Sequence, residues 1–151
     1  MTKPVYLDDK SKEVIALLQK DGRMSYTAIA NKVGLSEAAV RQRAQRLMEQ
    51  GVMQIVAVTD PLQLGFAWEA MIGVRVSGNS EAIAETLGEI EAIDFIVLTA
   101  GKFDIILEVV AESEDQFIDL TNTIRSIPGV TGSETLVYLS TRKQAYSWGD
   151  R

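Results

Sequence analysis

The chain has 151 residues, 46% of them hydrophobic and 24% charged, a balance that suits one ordinary globular domain or two small ones. It holds no cysteine and no histidine, so disulfides and thiolate zinc sites are excluded, and the commonest general base and metal ligand are missing. The net charge of −6 is unevenly spread: residues 1–55 carry nine Lys/Arg against six Asp/Glu, and residues 56–151 carry six against fifteen. A basic head on an acidic body confines any attraction for phosphate to the head.

Residues 1–6 read as a loose tail, with no apolar core of signal-peptide length. No apolar run approaches the ~18 residues of a membrane span, and a cytoplasmic address is expected. Asp8 or Asp9 is placed to cap a first helix, Asp9 to Lys20, with Val14, Ile15, Leu17 and Leu18 as its apolar stripe. Asp21-Gly22-Arg23 ends it, and a short second helix runs from Ser25 through Lys32. Gly34 supplies a φ > 0 position at the next turn, and Ser36 is the N-cap of a third helix that closes at Gly51.

In that third helix Val40, Ala44, Leu47 and Met48 fall on one face. Ala38, Ala39, Gln42, Gln45 and Arg46 fall on the opposite face, with Arg41 and Arg43 on the flanks. Small residues with amides and guanidinium groups behind them suit close approach to base edges and phosphates. Three short helices with a tight turn before the last form the minimal helix-turn-helix, although any small trihelical bundle shows the same periodicity. The basic charge on the third helix favours double-stranded DNA. The expected DNA-binding set is Arg41, Gln42, Arg43, Gln45 and Arg46, with Ser36, Ala38 and Ala39 at the helix start and Ser25 and Tyr26 as backbone contacts. Arg43 has a second reading, as a structural arginine paired with an acid of the bundle.

Val52 to Val58 is β-branched and apolar and reads as a linking strand, so residues 1–59 are expected to form the head. Residues 60–65, DPLQLG, read as a hinge, because a residue before proline resists helix continuation. Beyond it the spacing predicts a strand over Trp68–Ser77, a helix from Glu81 to about Ile90, and a strand over Ile93–Ala100. A strand over Phe103–Ala111 follows, then a helix capped by Ser113 with Phe117, Ile118, Leu120 and Ile124 inward, and a last strand over Glu134–Ser140. The order β-α-β-β-α-β over residues 66–143 is the split βαβ, or ferredoxin-like, arrangement, which makes the chain α+β overall. The nearly continuous apolar run Ile105, Ile106, Leu107, Val109 and Val110 exceeds what one covered sheet face requires, so a homodimer packed sheet against sheet is expected. Residues 144–151 form a tail in which Tyr146 and Trp148 are candidates for docking.

Taken together, Leu7-Asp8, Asp21-Gly22-Arg23-Met24-Ser25, Val33-Gly34-Leu35-Ser36, Arg43, Arg46-Leu47, Gly51-Val52, Gly101-Lys102-Phe103-Asp104 and Pro128-Gly129-Val130 resemble the leucine-responsive regulatory protein/AsnC (Lrp/AsnC, feast/famine) group. The resemblance spans about Leu7 to Lys143. It implies a transcription factor with an N-terminal helix-turn-helix and a C-terminal sheet domain. It also implies dimers that assemble to tetramers, octamers or open helices, and an amino-acid effector held between neighbouring dimers. The chain departs from the group's frequent proline early in the third helix, where Glu37, Ala38 and Ala39 stand, so operator preference does not transfer.

A free amino acid needs donors for its carboxylate and an acceptor for its ammonium group. The turn from Pro128 to Ser133 offers backbone N–H groups and small hydroxyls, and Asp104 offers the acceptor beside the Gly101 turn. The resemblance places the ligand near Thr99, Gly101, Phe103, Asp104, Gly129, Val130, Ser133, Thr135 and Val137. The resulting expectation is a sequence-specific DNA-binding regulator, not an enzyme, modulated by an amino acid and without a metal or other cofactor. Two alternatives remain: an architectural DNA binder without a ligand, and an amino-acid-binding subunit of a metabolic enzyme.

Overall fold

A computed structural model describes residues 6–144; the tail 145–151, with Tyr146 and Trp148, lies outside the described residues, as do residues 1–5. The chain divides into two compact units, one up to Val58 and the other Thr59–Arg142. The first holds α1 (Asp9–Lys20), α2 (Tyr26–Val33) and α3 (Glu37–Glu49). Each helix opens on a side-chain cap that satisfies an orphan backbone donor: Asp8 accepts from the Ser11 N–H, Ser25 from Ala28 and Ser36 from Ala39. Gly34 ends α2 at φ 69°, a left-handed conformation that would strain any residue with a Cβ. Val14, Leu18, Ile29, Ala30, Val33 and Val40 form the core of this unit.

The second unit holds β1 (Trp68–Val76), α4 (Ser80–Leu87), β2 (Ile93–Leu98), β3 (Ile105–Ala111), α5 (Glu114–Ser126) and β4 (Val130–Val137). The strands form one antiparallel sheet in the order β2-β3-β1-β4. Ala70, Ile72 and Val74 of β1 and Ile105, Leu107, Val109 and Ala111 of β3 point to one face. There they pack on Ile83 and Leu87 of α4 and on Phe117, Leu120 and Ile124 of α5. Both helices therefore cover the same side, and Trp68 stacks on Phe117 with ring centroids 5.2 Å apart.

The opposite face mixes apolar and acidic groups. Phe95, Val97 and Leu136 are exposed there, 51%, 37% and 52% respectively. Glu69 shares that face, and burial together with the nearby Glu108, Asp60 and Asp94 pushes its carboxyl above the usual range. Register explains the apolar run in β3: Ile106 and Val110 alternate with the core residues and belong to this second face.

Several expected elements differ. Residues 52–58 are not a strand: no segment of the described chain pairs with them, and Ile55, Val56 and Val58 stand exposed. The expected hinge carries a one-turn 3-10 helix, η1 (Pro61–Leu64), capped by Asp60 and ended by Gly65 at φ 98°. The α4 helix stops at Leu87, with Gly88 as its C-cap, short of the expected Ile90. The β4 strand starts at Val130, immediately after Gly129 at φ 93°, and ends at Val137 rather than running from Glu134 to Ser140. Ile118 is 47% exposed, and Met48 is exposed on the rim of α3, so neither belongs to its core face.

Candidate functional site

The front of α3 is built from short and polar side chains. Ala38, Gln42 and Gln45 are exposed along it, Ala39 is half-buried, and Gln45 donates to Glu49 Oε1 at 2.8 Å. Gln42 and Arg46 make no side-chain hydrogen bond or ion pair among the described residues, which leaves an amide and a guanidinium free to meet a ligand. Arg41 lies on one flank, where Nη2 reaches Glu37 Oε1 at 2.8 Å and the guanidinium lies 5.3 Å from the Tyr26 ring centroid. Glu37 also accepts from the Thr27 hydroxyl at 2.7 Å, and these two bonds, Thr27 first, hold its carboxyl below the usual range. Glu37 thereby ties α2 to the start of α3, a role that its place near a helix N-terminus did not reveal. Ser25 and Ser36 are engaged as caps.

Arg43 has the acidic partner that its second reading expects. Its Nη1 lies 2.6 Å from Asp8 Oδ2 and 3.1 Å from the Ser11 hydroxyl, bridging α3 to the start of α1. The Ser11 hydroxyl, Arg43 and the Ser11 backbone N–H together lower the Asp8 carboxyl to about 2. Another tie was not foreseen: Lys10 Nζ donates to the Val33 carbonyl at 2.7 Å, beside the turn.

In the sheet unit, the expected effector residues divide into two groups. Thr99, Phe103 and Asp104 gather at the β2–β3 hairpin: the Thr99 hydroxyl donates to the Phe103 carbonyl at 2.6 Å, and Asp104 N donates to the Val74 carbonyl at 2.9 Å. Asp104 Oδ2 accepts the Val76 N–H at 2.8 Å, so one carboxylate oxygen already serves β1. Gly101 is exposed at the tip of this turn. Phe103 lies flat over Gly73, where an added Cβ would stand 2.5 Å from the ring. Lys102 Nζ and the Arg75 guanidinium lie 4.9 and 5.9 Å from its centroid.

Gly129, Val130 and Ser133 reach the same end of the sheet through β1, since Ser77 N donates to the Gly129 carbonyl and Val76 pairs with Val130. Thr135 and Val137 lie further along β4, opposite Ile72 and Ala70. Thr135 Oγ1 is buried without a hydrogen-bond partner among the described residues. Sequence reasoning missed Arg75 and Arg125, which line a pocket of about 380 Å³ with Val130, Thr131, Gly132 and Ser133. Their rarity was the available signal, for this unit has few basic residues against many acidic ones.

Among the described residues no group of three or more acids is placed to hold a metal ion, and no helix is long and apolar enough to cross a membrane. Residues 7–48 match the AsnC-type helix-turn-helix domain, and residues 69–148 match the Lrp/AsnC ligand binding domain. The chain is 32% identical to the HTH-type transcriptional regulator FL11 of Pyrococcus horikoshii, over 93% of this chain and 94% of that one. The structure of the leucine response regulatory protein LrpA of Mycobacterium tuberculosis superposes with a TM-score of 0.86 at 26% identity, covering 94% of this chain and 99% of that chain. A Neisseria meningitidis transcriptional regulator solved as an L-Met complex has the same fold, with a TM-score of 0.83 at 21% identity over 95% of this chain and 97% of that one. The matched domains span most of the chain in the order the fold displays, so the protein belongs to the Lrp/AsnC family of transcriptional regulators, with a helix-turn-helix for DNA and a ligand-binding sheet domain, and it is not an enzyme.

Proposed function

We propose that α3 is the recognition helix and that the regulator acts in the cytoplasm as a homo-oligomer on double-stranded DNA, under the control of an amino acid. One observation carries the DNA reading: Ala38, Gln42 and Gln45 leave a low, polar front on α3, with Arg46 unpaired beside it. Gln42 and Gln45 suit bidentate contact with adenine, and Arg46 suits phosphate or guanine. Arg41 needs only to leave the exposed Glu37 carboxylate to join them, and such a surface pair is weak. Arg43 supports the helix rather than the contact.

The head then comprises residues 1–59, residues 60–65 act as the hinge, and residues 66–143 carry effector binding and assembly. The exposed apolar side chains Phe95, Val97 and Leu136 support pairing of two sheets. The amino-acid reading draws on the L-Met complex of the Neisseria relative and on the gathering of the β2–β3 turn with Gly129–Ser133. Footprinting across the genome, with and without amino-acid supplementation, tests the whole reading. Imperfect palindromes with half-sites about one helical turn apart, or a multiple of it, are expected, with occupancy that changes on supplementation. Scattered unspaced half-sites would overturn it.

A further inference from the structure

Arg75 and Arg125 approach the first residues of the edge strand β4 from two sides. Arg75 crosses its strand neighbour Gly132, and its Nη2 would stand 2.7 Å from a Cβ built there, so the guanidinium occupies the space that a side chain would fill. Arg125, in the last turn of α5, donates from Nε to the Ser133 hydroxyl at 3.0 Å. Thr131 lies between them, its hydroxyl donating to the Arg75 carbonyl at 3.1 Å. The pocket they share has about 380 Å³, within the range of roughly 300–1,000 Å³ typical of small-ligand sites.

No carboxylate lines the pocket, and no ion pair reaches either guanidinium among the described residues. Glu134, two residues along β4 from Gly132, pairs with Lys102, and one oxygen of Asp104 accepts the Val76 N–H. Two guanidinium groups that line one pocket of an otherwise acidic unit offer an anion two planar forks, each of which matches a carboxylate.

We propose that this pocket selects a small dicarboxylate, an acidic amino acid or the 2-oxo acid of the same skeleton, over neutral and basic amino acids. A neutral amino acid brings one carboxylate and one ammonium, so its net charge matches neither the two arginines nor the half-committed Asp104. A second carboxylate supplies the missing negative charge. The class of effector rests on the amino-acid reading above; the anion site rests only on the two arginines.

The test is titration calorimetry of the full chain with L-glutamate, 2-oxoglutarate, L-leucine, L-lysine and inorganic phosphate, repeated on Arg75→Gln, Arg125→Gln and Gly132→Ala. The alanine displaces only the flexible tip of Arg75, so this variant separates loss of the site from loss of the fold. Binding of L-glutamate or 2-oxoglutarate, at least about tenfold tighter than L-leucine or L-lysine and weakened about tenfold or more in each variant, is the expected result. Binding of L-leucine or L-lysine that ignores all three substitutions overturns the dicarboxylate proposal and leaves the amino-acid reading standing. Binding of 2-oxoglutarate without L-glutamate keeps the dicarboxylate and overturns the amino-acid reading. Phosphate binding as tightly as the dicarboxylates, or no binding by any of the five, overturns the proposal.

Discussion

Three arginines on one helix do three different things. Arg43 is held by Asp8 and Ser11, Arg41 by Glu37 and the Tyr26 ring, and Arg46 by nothing among the described residues. Alanine at Arg46 is therefore expected to weaken operator binding and to reduce the slope of log affinity against log salt by about 1, with the melting temperature unchanged. Arg43→Gln should instead lower the melting temperature of the head and leave the salt slope near that of the parent. Gel shifts at several salt concentrations, beside thermal melts, separate the two. Asp8 supplies a pH signature for the structural pair. Its bonds are made to the charged carboxylate, whose folded-state pKa drops from 3.8 to about 2. The stability they bring is complete above the unfolded value and is lost as pH falls through the folded one. Asp8→Asn should thus melt lower than the parent at neutral pH, and the difference should close on acidification to about pH 2. A constant difference across that range would show that Asp8 acts without its charge. The fate of Arg43 was open in the sequence because its partner sits 35 positions away, beyond the reach of helical spacing.

At the scale of elements, what the sequence disclosed was what local chemistry decides. Ser36 and Ser113 cap the helices expected of them and Asp8, one of two candidates, caps α1, because a cap is made within three residues of itself; Ser25, expected as the first residue of its helix, is the cap of α2 instead. Ser36→Ala is expected to cost about 1 kcal/mol of stability and to fray the helix that carries Gln42 and Arg46, which a urea titration would read. The failures were failures of pairing. Val52–Val58 has the composition of a strand, but no described segment pairs with it. The start of β4 has the composition of a turn, Thr-Gly-Ser, yet pairs with Val74–Val76 because β1 lies beside it. Gly73 could not be read from composition either. It sits inside β1, where glycine weakens a strand, and it is explained by the Phe103 ring that lies on it. Gly73→Ala should force that ring outward at a cost of about 1–3 kcal/mol and disturb the hairpin bearing Lys102 and Asp104. A variant as stable as the parent by urea titration would show that the ring moves freely.

For the whole molecule, the distribution of charge sets the terms on which DNA is bound. A head of +3 is a weak lure for a polyanion, and the body of −9 opposes it. Specific affinity in such a chain has to come from joining two heads, since a linked second head binds at an effective concentration in the millimolar range. In the proposed sheet-to-sheet pairing, the face opposite α4 and α5 joins them, with Phe95, Val97 and Leu136 exposed on it. Leu136→Glu adds a carboxylate to a face that already holds Glu69, Glu108 and Glu134, at a position half open to solvent and outside the core. The sheet unit should therefore keep its melting temperature at low protein concentration while sedimentation velocity shifts from dimer or larger to monomer. Operator affinity should fall steeply and the salt slope should drop by about half, because each monomer neutralises half of the phosphates. A variant that sediments like the parent would remove the sheet-to-sheet contact as the basis of assembly. A monomeric variant with unchanged affinity would mean instead that a single head suffices, and that the acidic body does not oppose it.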